Sequence, residues 1–414
     1  MDSLSLSLPL SSSFDKPENL ISNQLCCFCD ALAFEMKLKI RSYDARIDRE
    51  RIEDLERRCE VGPAESVFLF TDTLGDPICR IRNSPKYKML VAELHHELVG
   101  VIQGSIKMVT ICSPAKVQTR VGYILGLRVA PCYRRRGIGV SLVKRLEEWF
   151  VDNQVDFAYM ATDKDNLGSV KLFTDKLGFI KFRTPSILVQ PVGPRRMRIS
   201  PTVKIVKLKI EDAERLYRRF MGSTEFFPDD IDRVLRNKLS LGTWVAYPMG
   251  ESWGDINSGP FPPNWAMISV WNSGDLFKLR VDKAPLSCLM YAKSSRLIDR
   301  VFPCLRIPAF PDVFRPFGFY FMYGLHQHGP RPGKLVGTLC SFVHNMAMEL
   351  EDCKVVVTEV GGCDTLKLHI PHWKLLSCAD LWCIKPLRKE AQETLFGLTK
   401  NSASRALFVD PREV

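Results

Sequence analysis

A glycine-rich turn between an apolar strand and an amphipathic helix limits the possible folds of this chain more than any other feature. The stretch LRVAPCYRRRGIGVSLVKRLEEWF begins at Leu127 with strand-forming residues, and from Ile138 its apolar residues recur at helical spacing. The first amides of a helix lack intrahelical partners and lie at the positive end of the helix dipole. Because glycine lets a ligand approach the backbone closely, the turn predicts an anion-binding site.

The identity of the anion depends on which phosphate-binding motif the turn matches. Neither a GxxxxGK[ST] loop nor a GxGxxG loop after a first strand is present. The turn instead contains Arg134-x-x-Gly137-x-Gly139, which resembles the [QR]xxGx[GA] signature of the GNAT acyltransferases, whose loop holds the pyrophosphate of acetyl-CoA. A second stretch, NLGSVKLFTDKLGF from Asn166 to Phe179, resembles another GNAT segment at the separation expected for that family. The alternative is a glycine-assisted turn that carries solvated arginines.

The order of the predicted strands and helices agrees with this resemblance. It implies an α+β protein with the GNAT fold, whose central mixed, mostly antiparallel sheet is flanked by helices, followed by a second, degenerate GNAT-like α+β domain. We predict a disordered N-terminal extension over residues 1–35 and a GNAT acetyltransferase domain over residues 36–192. A linker over 193–203 leads to the degenerate domain over 204–390, and a C-terminal tail over 391–414 ends the chain.

The second predicted domain repeats the element order of the first but lacks its phosphate loop. In the first domain we predict helices over 48–59 and 166–177, besides the helix that follows the turn. The corresponding turn of the second domain, HQHGPRPGK, contains Pro330 and Pro332, which have no backbone N–H to offer a phosphate. We therefore predict that the second domain does not bind CoA.

Charge and cysteine spacing narrow the classes of ligand. The 414 residues carry a net charge of +11, but residues 1–35 contain one Lys against five acidic residues, so the remainder carries +15. Such a field suits polyanionic ligands such as CoA or acidic partners, whereas scattered charges and the lack of a groove-reading motif argue against direct nucleic-acid binding. The 14 cysteines lack zinc-site spacing and no apolar run has transmembrane length, so we predict no metal and no membrane association.

Several longer phrases resemble the plant Hookless-type probable N-acetyltransferases over about residues 36–414. They include ERRCEVGP, LFTDTLGDPICRIRNSP, RTPSILVQPV, STEFFPDDID and the ending FVDPRE. This resemblance implies a role in plant hormone-controlled differential growth and acetylation of protein lysines, with histones among the proposed substrates. It also implies the nucleus, with the cytoplasm as the alternative or additional location. We expect acetyl-CoA and a protein or peptide amine acceptor as partners, together with self-association through the C-terminal half.

In the GNAT arrangement, the turn and the strand before it hold the cofactor. The resemblance implies that turn amides and arginines bind the pyrophosphate, that the strand pairs with the pantetheine arm, and that one strand amide polarises the thioester carbonyl. The cofactor-binding residues implied in this way are Leu127, Val129, Arg134, Arg135, Arg136, Gly137, Ile138, Gly139, Val140 and Asn166.

The residues for proton transfer depart from the family pattern. Histone-acetylating GNATs carry a glutamate on the central strand, where this sequence has Tyr123. A base is needed because free lysine has a pKa of about 10.4, and the other candidates are Asp163, Asp165 and Glu93. Many GNATs also carry a tyrosine that protonates the thiolate of CoA, and here that position is Phe173.

These motifs are compatible with an enzyme and with a binding protein. As an enzyme, the chain would be an acetyl-CoA-dependent N-acetyltransferase that acts on an amine directly from a ternary complex. The alternative is a catalytically weak or inactive GNAT-derived regulatory or scaffold protein that still binds acetyl-CoA, which Phe173 and the missing glutamate favour. An acidic run could dock basic peptides or be a solvated loop, and it comprises Glu225, Asp229, Asp230 and Asp232.

Overall fold

The computed structural model describes residues 38–59, 68–112, 116–254, 261–282, 290, 294–295, 311–330, 332–400 and 406–414. The N-terminal extension predicted over residues 1–35 lies outside these ranges. Within them, no helix is long and apolar enough to cross a membrane. The same residues contain no group of three or more His, Cys, Asp or Glu side chains placed to hold a metal ion.

The strands and helices of the first half follow the predicted order. Its strands are β1 (Leu38–Ser42), β2 (Phe68–Asp72), β3 (Lys86–Leu94), β4 (Glu97–Cys112), β5 (Lys116–Val129), β6 (Phe157–Asp163), β7 (Ile180–Arg183) and β8 (Ser186–Pro191). Its helices are α1 (Ala45–Arg58), α2 (Ile138–Asp152) and α3 (Leu167–Lys171), the last followed by a wider π-helical turn over Leu172–Lys176. Helix α1 begins before the predicted residue 48 because the Asp44 carboxylate accepts a hydrogen bond from the Arg46 amide, at 3.0 Å.

The second half repeats part of this order. Its strands are β9 (Val203–Lys207), β10 (Phe227–Pro228), β11 (Ser240–Pro248), β12 (Trp265–Asn272), β13 (Lys278–Asp282), β14 (Gly318–His328), β15 (Cys353–Val360) and β16 (Cys378–Pro386). Its longer helices are α4 (Ile210–Leu216), α5 (Ile231–Arg236), α6 (Pro332–Ala347) and α7 (Ala391–Lys400). A strand, a helix and a parallel strand follow one another in both halves, as β5–α2–β6 and as β14–α6–β15.

One sheet runs through both halves of the molecule. Its strand order is β1-β3-β4-β5-β6-β16-β8-β15-β14-β12-β11-β9, and β2 and β13 form a separate two-stranded sheet. Among the described strands, β5 pairs with β6 and β14 with β15 in parallel, whereas the other pairs are antiparallel. The predicted α+β class, with a mixed and mostly antiparallel sheet flanked by helices, is therefore confirmed.

Each half contributes a strand to the other half's part of this sheet. Strand β16 lies between β6 and β8, and its register places Asp380 opposite Asp163. Strand β8 pairs with β15, so residues 186–191 of the predicted first domain join the part of the sheet built by the second half. The sheet is therefore not divided at residue 192, where the sequence predicts a domain boundary. Strand β16 of the second half provides the hydrogen-bonding partner that the edge of β6 needs.

Helices lie on both faces of this sheet, and on one face aromatic side chains from both halves pack together. Helix α2 packs against β3, β4 and β5 through buried residues such as Leu146 and Phe150. Helix α6 covers the second half's strands in the same way, with Leu339 buried among them. On the opposite face, Tyr159 and Trp382 come from different halves and their rings lie 5.6 Å apart. This arrangement fixes the start of α2 beside the end of β5.

Residues 407–413, near the end of the predicted C-terminal tail, are buried. Asp410 is fully buried and Arg412 is 4% exposed. The Lys107 ammonium lies 3.1 Å from Asp410 and 2.7 Å from Glu413, and the Arg412 guanidinium lies 2.7 Å from Asp230. Charged groups are rarely buried without a paired partner. The end of the chain is therefore held in place by ion pairs to both halves.

Candidate active site

The parallel strands β5 and β6 pair over only part of their length. Their register ends at Ile124 opposite Met160. Strand β5 then continues to Val129 and β6 to Asp163, and the described residues of the two strands show no further pairing. Gly126 has a φ of 61°, a conformation that glycine adopts without strain and that lets β5 bend here. The centre of the sheet therefore opens into a cleft between the half-buried ends of two strands.

Helix α2 starts next to this cleft without a capping side chain. Gly137 precedes the helix with a φ of 82°, and no side-chain cap is present among the described residues. The Ser141 amide donates to the Gly137 carbonyl at 3.0 Å and makes the first intrahelical bond. The amides of Ile138, Gly139 and Val140 precede that bond, and the first turn carries no acidic residue. These amides are therefore available to an anion at the positive end of the helix dipole.

Three exposed arginines surround the same helix start. Arg134, Arg135 and Arg136 are all exposed, and none forms an ion pair with a carboxylate in the part of the chain that the structure describes. Arg134 Nε donates to the Val129 carbonyl at 3.2 Å, and the Arg136 guanidinium lies 5.5 Å from the Tyr133 ring. Arginines without internal carboxylate partners are suited to bind a phosphate.

Gly139 brings the two GNAT-like motifs together. A Cβ atom at this position would lie 3.5 Å from the Leu172 side chain and 3.9 Å from those of Leu127 and Val129. The missing side chain leaves a narrow passage between the helix start and the edge of β5. The uncapped amides, the arginines and this passage fit acetyl-CoA, with its phosphates at the helix start and its pantetheine arm along β5.

Asn166 and Asp163 shape the turn between β6 and α3. The Asn166 Oδ1 accepts a hydrogen bond from the Ser169 amide at 3.2 Å and so caps the helix. The Asp163 carboxylate accepts one from the Asp165 amide at 2.8 Å, and Asp165 itself is exposed. The structure thus gives both predicted residues a local role in the turn. Only the side-chain nitrogen of Asn166 remains as a donor toward a cofactor.

Tyr123, predicted at the position of the base, lies deep in the core. Its side chain is 7% exposed, and its ring lies 4.9 Å from that of Tyr159. Burial raises the pKa of Tyr123 far above that of a free phenol, and the nearby Glu413 carboxylate adds to this increase. A phenolate is therefore difficult to form at this position, which disfavours Tyr123 as the base.

Phe173 fills the position where many GNATs have a general acid. It is 2% exposed, and its ring packs edge-on against Phe179 at 5.1 Å. The side chain has no proton to donate. A thiol has a pKa of about 8.5, so water can protonate the departing thiolate at a modest cost in rate.

Glu93 is held by two arginines away from the cleft. Its carboxylate lies 2.8 Å from Arg41 and 2.7 Å from Arg51. The hydrogen bonds from Arg41, supported by those from Arg51, lower the pKa of Glu93 to about 2. Strand β4 separates β3, which carries Glu93, from β5. These contacts argue against Glu93 as a base for an amine in the cleft.

Two of the four carboxylates in the candidate docking run form ion pairs with buried arginines. Glu225 is buried and lies 2.7 Å from Arg183. Asp230 lies 2.7 Å from the buried Arg412. Glu225 therefore has a stabilising role, whereas one surface cavity is lined by Asp229, Asp230 and Asp232.

Two carboxylates that the sequence prediction missed lie at the end of the cleft. Asp380 on β16 stands opposite Asp163, and Glu359 on β15 accepts a hydrogen bond from the Trp382 Nε1 at 3.1 Å. Burial and the charge of Asp380 raise the pKa of Glu359 to about 8. Burial and the charge of Asp163 raise the pKa of Asp380 to about 7. Their sequence neighbourhoods carry no motif, and only the exchange of strands brings them here.

The corresponding turn of the second half has a different shape. Gly329 has a φ of 95°, and a Cβ atom there would lie 2.3 Å from the Pro263 carbonyl. The rings of His326 and His328 pack on Trp265 at 5.4 Å and 5.9 Å. Aromatic packing therefore occupies this end of the second half. That it binds no CoA stays a prediction.

Comparison with known proteins agrees with the motifs of the turn. Residues 49–179 match the acetyltransferase (GNAT) family. The chain is 49% identical over 409 residues to the probable N-acetyltransferase HLS1-like of Arabidopsis thaliana, which covers 91% of this chain and 99% of that protein. It is 48% identical over 400 residues to the probable N-acetyltransferase HLS1 of the same plant, covering 90% and 99%. It is 34% identical over 418 residues to the acetyl transferase GW6a of Oryza sativa subsp. japonica, covering 91% and 97%.

A solved structure shares the architecture of both halves. The N-myristoyltransferase of Saccharomyces cerevisiae, solved with bound myristoyl-CoA, aligns with a TM-score of 0.52 over 90% of this chain and 85% of that one. The two sequences are 10% identical, so the likeness concerns the fold alone. Because the alignment spans most of the chain, it includes strands from both halves.

Proposed function

Since the chain belongs to the family of the plant probable N-acetyltransferases HLS1 and HLS1-like, we propose that it transfers the acetyl group of acetyl-CoA to the amine of a protein lysine. The observation that carries this proposal is the uncapped start of α2 with its exposed arginines beside the open ends of β5 and β6. An anion site next to an unpaired strand edge suits a ligand with a pyrophosphate and an extended amide-containing arm.

Each part of this site would have a separate task in the reaction. Bound acetyl-CoA would supply an activated acetyl group as a thioester. The amides from Arg135 to Val140 and the arginine charges would hold its pyrophosphate, while the backbone of Leu127 and Val129 would orient its arm. One of these strand amides would donate to the thioester oxygen, where negative charge develops. The amine would then attack directly, with both substrates held in the cleft.

The biological setting of the proposal comes from the family resemblance. We propose that the acceptors include histones, that the protein acts in the nucleus and/or the cytoplasm, and that it serves hormone-controlled differential growth in a plant. The remainder of the chain carries +15 outside residues 1–35, but its charges are scattered and no groove-reading motif accompanies them, so we propose no direct role in reading nucleic acid. A lysine acceptor therefore needs a locally acidic site on a chain that is basic as a whole.

Acetyl-CoA binding, measured by calorimetry on the full chain, tests the cofactor site. Gly137→Glu and Gly139→Glu place a bulky negative charge at the helix start and should abolish binding. Gly250→Glu is the matched control, since Gly250 is exposed, has a positive φ like Gly137, and has open space around it. Binding that survives both turn substitutions, or no binding by the native chain, would overturn the proposal.

A second candidate function is regulation through acetyl-CoA binding without catalysis. Phe173 favours this candidate, because the position of a family general acid holds a buried phenyl ring. Transfer of radiolabel from acetyl-CoA to core histones separates the two. Labelled histone that requires the native turn supports the enzyme, whereas acetyl-CoA binding without any transfer supports the regulatory protein.

A further inference from the structure

We propose that Glu359 and Asp380, contributed by the second half, form with Asp163 the site that receives the cationic amine acceptor. The inference rests on the proposed acetyl transfer and specifies its acceptor as a primary ammonium group. Under it, the second half is not only a scaffold, because it supplies two of the three acidic groups at the end of the cleft. We call these three residues the carboxylate group.

The sheet register places the carboxylate group at the open end of the cleft. Tyr123 on β5 stands beside Tyr159 on β6, within the part of the strands that is paired. Four residues further along β6, Asp163 lies on the same face as Tyr159 and opposite Asp380. The group therefore lies on the face away from α2, beyond the point where β5 and β6 separate.

Strand β15 brings Glu359 to the same place. Strand β8 lies between β15 and β16. Its residue Ile187 is paired with Glu359 of β15 on one side and with Cys378 of β16 on the other. Burial, together with the charges of Asp163, Asp380, Glu359 and, least of the four, Asp165, raises the pKa of the Cys378 thiol to about 11. The Cys378 thiol thus lies near all three residues of the carboxylate group.

The carboxylate group lacks a cation of its own. In the described part of the chain, none of the three residues forms an ion pair with a lysine or arginine. Asp380 is 8% exposed, and Asp163 and Glu359 are half-buried. Grouping partly desolvated carboxylates without a positive partner is costly, so the site is matched to a cation that arrives from outside.

An uncharged oxygen at the cleft points independently to a donor ligand. The Gln103 Oε1 is buried and unpaired within the described residues, and its side chain lies 3.3 Å from the Cβ position of Gly126, where β5 bends. This amide oxygen can accept a hydrogen bond, and an ammonium group has three to donate.

The remaining groups that face the site do not neutralise it. Glu413 at the end of the chain contributes to the raised pKa values of Tyr123 and Glu359, and the Lys107 ammonium is already paired with Glu413 and Asp410, at 2.7 Å and 3.1 Å. The Arg80 guanidinium is the positive group that acts on Tyr123, and its Nε has no partner among the described residues. Arg80 lies over the Phe277 ring at 5.7 Å instead of against a carboxylate.

The raised pKa values suit a group that also removes a proton. Free lysine titrates at about 10.4 and an ordinary glutamate at about 4.3, so an unperturbed carboxylate is a poor base toward lysine. Burial and Asp380 raise the pKa of Glu359 to about 8, which narrows this gap. In the proposed step, an N–H bond of the ammonium breaks, its proton forms an O–H bond on Glu359, and the amine keeps the electron pair with which it attacks.

Binding of small amines to the full chain tests the site without requiring turnover. The probes are n-butylammonium, which represents a lysine side chain, and glycinamide, which represents a chain N-terminus. The binding of each probe is measured by NMR titration. Glu359→Gln and Asp380→Asn should each weaken n-butylammonium binding by about 30-fold or more, since each removes a charge from a desolvated pair. Asp165→Asn is the control, because that carboxylate is exposed in the neighbouring turn, and it should change binding by less than about twofold.

The dependence on pH separates this role from a structural one. Binding by the native chain should strengthen from about pH 6 to about pH 9 as the carboxylate group loses its protons, and the double variant Glu359→Gln, Asp380→Asn should lose this dependence. Unchanged binding in the variants, or no binding by the native chain, would overturn the proposal. Glu359→Asp keeps the charge and should retain part of the affinity, which guards against a variant that fails to fold. Tighter binding of glycinamide would support the site and identify an N-terminal amine as the acceptor.

Acetyl-CoA titrations of the same samples keep the two proposals distinguishable. The carboxylate variants should bind acetyl-CoA like the native chain, because the helix start is untouched. Native chain that binds n-butylammonium but not acetyl-CoA would contradict the proposed function alone. Native chain that binds acetyl-CoA but shows no carboxylate-dependent amine binding would contradict this inference alone.

Discussion

Tyr123 and Glu359 lie near the same cleft, yet burial has opposite consequences for their chemistry. Burial raises the pKa of both. For a phenol, the increase moves ionisation further from neutral pH, so the group stays protonated. For a carboxyl group, the increase moves ionisation toward neutral pH, where a base can both take and release a proton. The same buried environment therefore disfavours the tyrosine and favours the carboxylate.

Replacing Tyr123 with phenylalanine should have little effect on acetyl transfer. Loss of a true general base costs about 100-fold or more, whereas loss of one unpaired hydroxyl should cost less than about fivefold. Steady-state rates with radiolabelled acetyl-CoA and core histones measure the change, and Tyr87→Phe, at an exposed position on β3, is the control. A decrease of two orders of magnitude in kcat for Tyr123→Phe alone would restore this residue as the base.

Glu359 should make the stability of the native chain fall as pH rises. Its pKa is raised from 4.5 to about 8 by burial and by Asp380, so the folded state holds this proton over a pH range in which the unfolded state has lost it. Stability therefore decreases from about pH 4.5 to about pH 8. Urea unfolding should show that Glu359→Gln has little effect on the free energy of unfolding near pH 4.5 and increases it near pH 8. An equal effect of the substitution at the two pH values would contradict the raised pKa.

Sequence motifs predict cofactor-binding residues more directly than proton-transfer residues, and the reason is physical. A phosphate loop is a local structure, so Arg134, Gly137 and Gly139 carry their signal within six positions. A base for an amine needs burial and neighbouring charges, which depend on strands distant in sequence. Glu359 and Asp380 are therefore invisible until β15 and β16 are placed.

At the scale of the element, the start of α2 depends on the left-handed conformation of Gly137. Its φ is 82°, and a Cβ atom would meet no neighbour, so strain in the backbone is the only cost of a side chain. Gly137→Ala should lower the free energy of unfolding by about 1–2 kcal/mol. Gly168→Ala, in a helix with ordinary φ and open space, should be neutral or slightly stabilising. Urea unfolding compares them, and an equal effect of both would contradict the assigned strain.

The elements themselves were largely predictable because their periodicity is local. The change from apolar strand to helical spacing after Gly137 defines β5 and α2 without reference to the rest of the chain. The predicted helix over 166–177 is less regular in the structure, where α3 ends at Lys171 and a π-helical turn follows. Periodicity predicts that a helix exists, but it does not resolve how its hydrogen bonds change near the end.

At the scale of the whole molecule, the chain terminus connects the halves through buried charge. Arg412 is 4% exposed and pairs with Asp410 and with Asp230 before α5. Arg412→Ala should lower the free energy of unfolding by about 3–5 kcal/mol, because it leaves carboxylates without their partner. Arg388→Ala removes a half-exposed pair with Asp156 and should cost about 1 kcal/mol or less. Similar urea midpoints for the two variants would contradict a structural role of the terminus.

The exchange of strands is the feature that sequence could not reveal, since pairing partners in a sheet are set by tertiary structure and not by local pattern. β16 satisfies the edges of both β6 and β7, although almost 200 residues separate β7 from β16 in sequence. The two halves are therefore joined at the middle of one sheet. Separation of the halves should remove hydrogen-bonding partners from each of them.

A fragment of residues 36–192 should consequently fail to fold or to bind acetyl-CoA, although it contains the whole phosphate loop. Without β16, strand β6 would expose an edge at the centre of the protein, and β8 would lack β15. A protease site inserted into the full chain within residues 194–199, which are largely exposed and contain no strand or helix, provides the matched comparison. The two pieces of the cut chain should stay associated in size-exclusion chromatography and keep acetyl-CoA binding, because the hydrogen bonds between the strands of the sheet are intact. A soluble, acetyl-CoA-binding fragment 36–192 would show that the exchanged strand is dispensable.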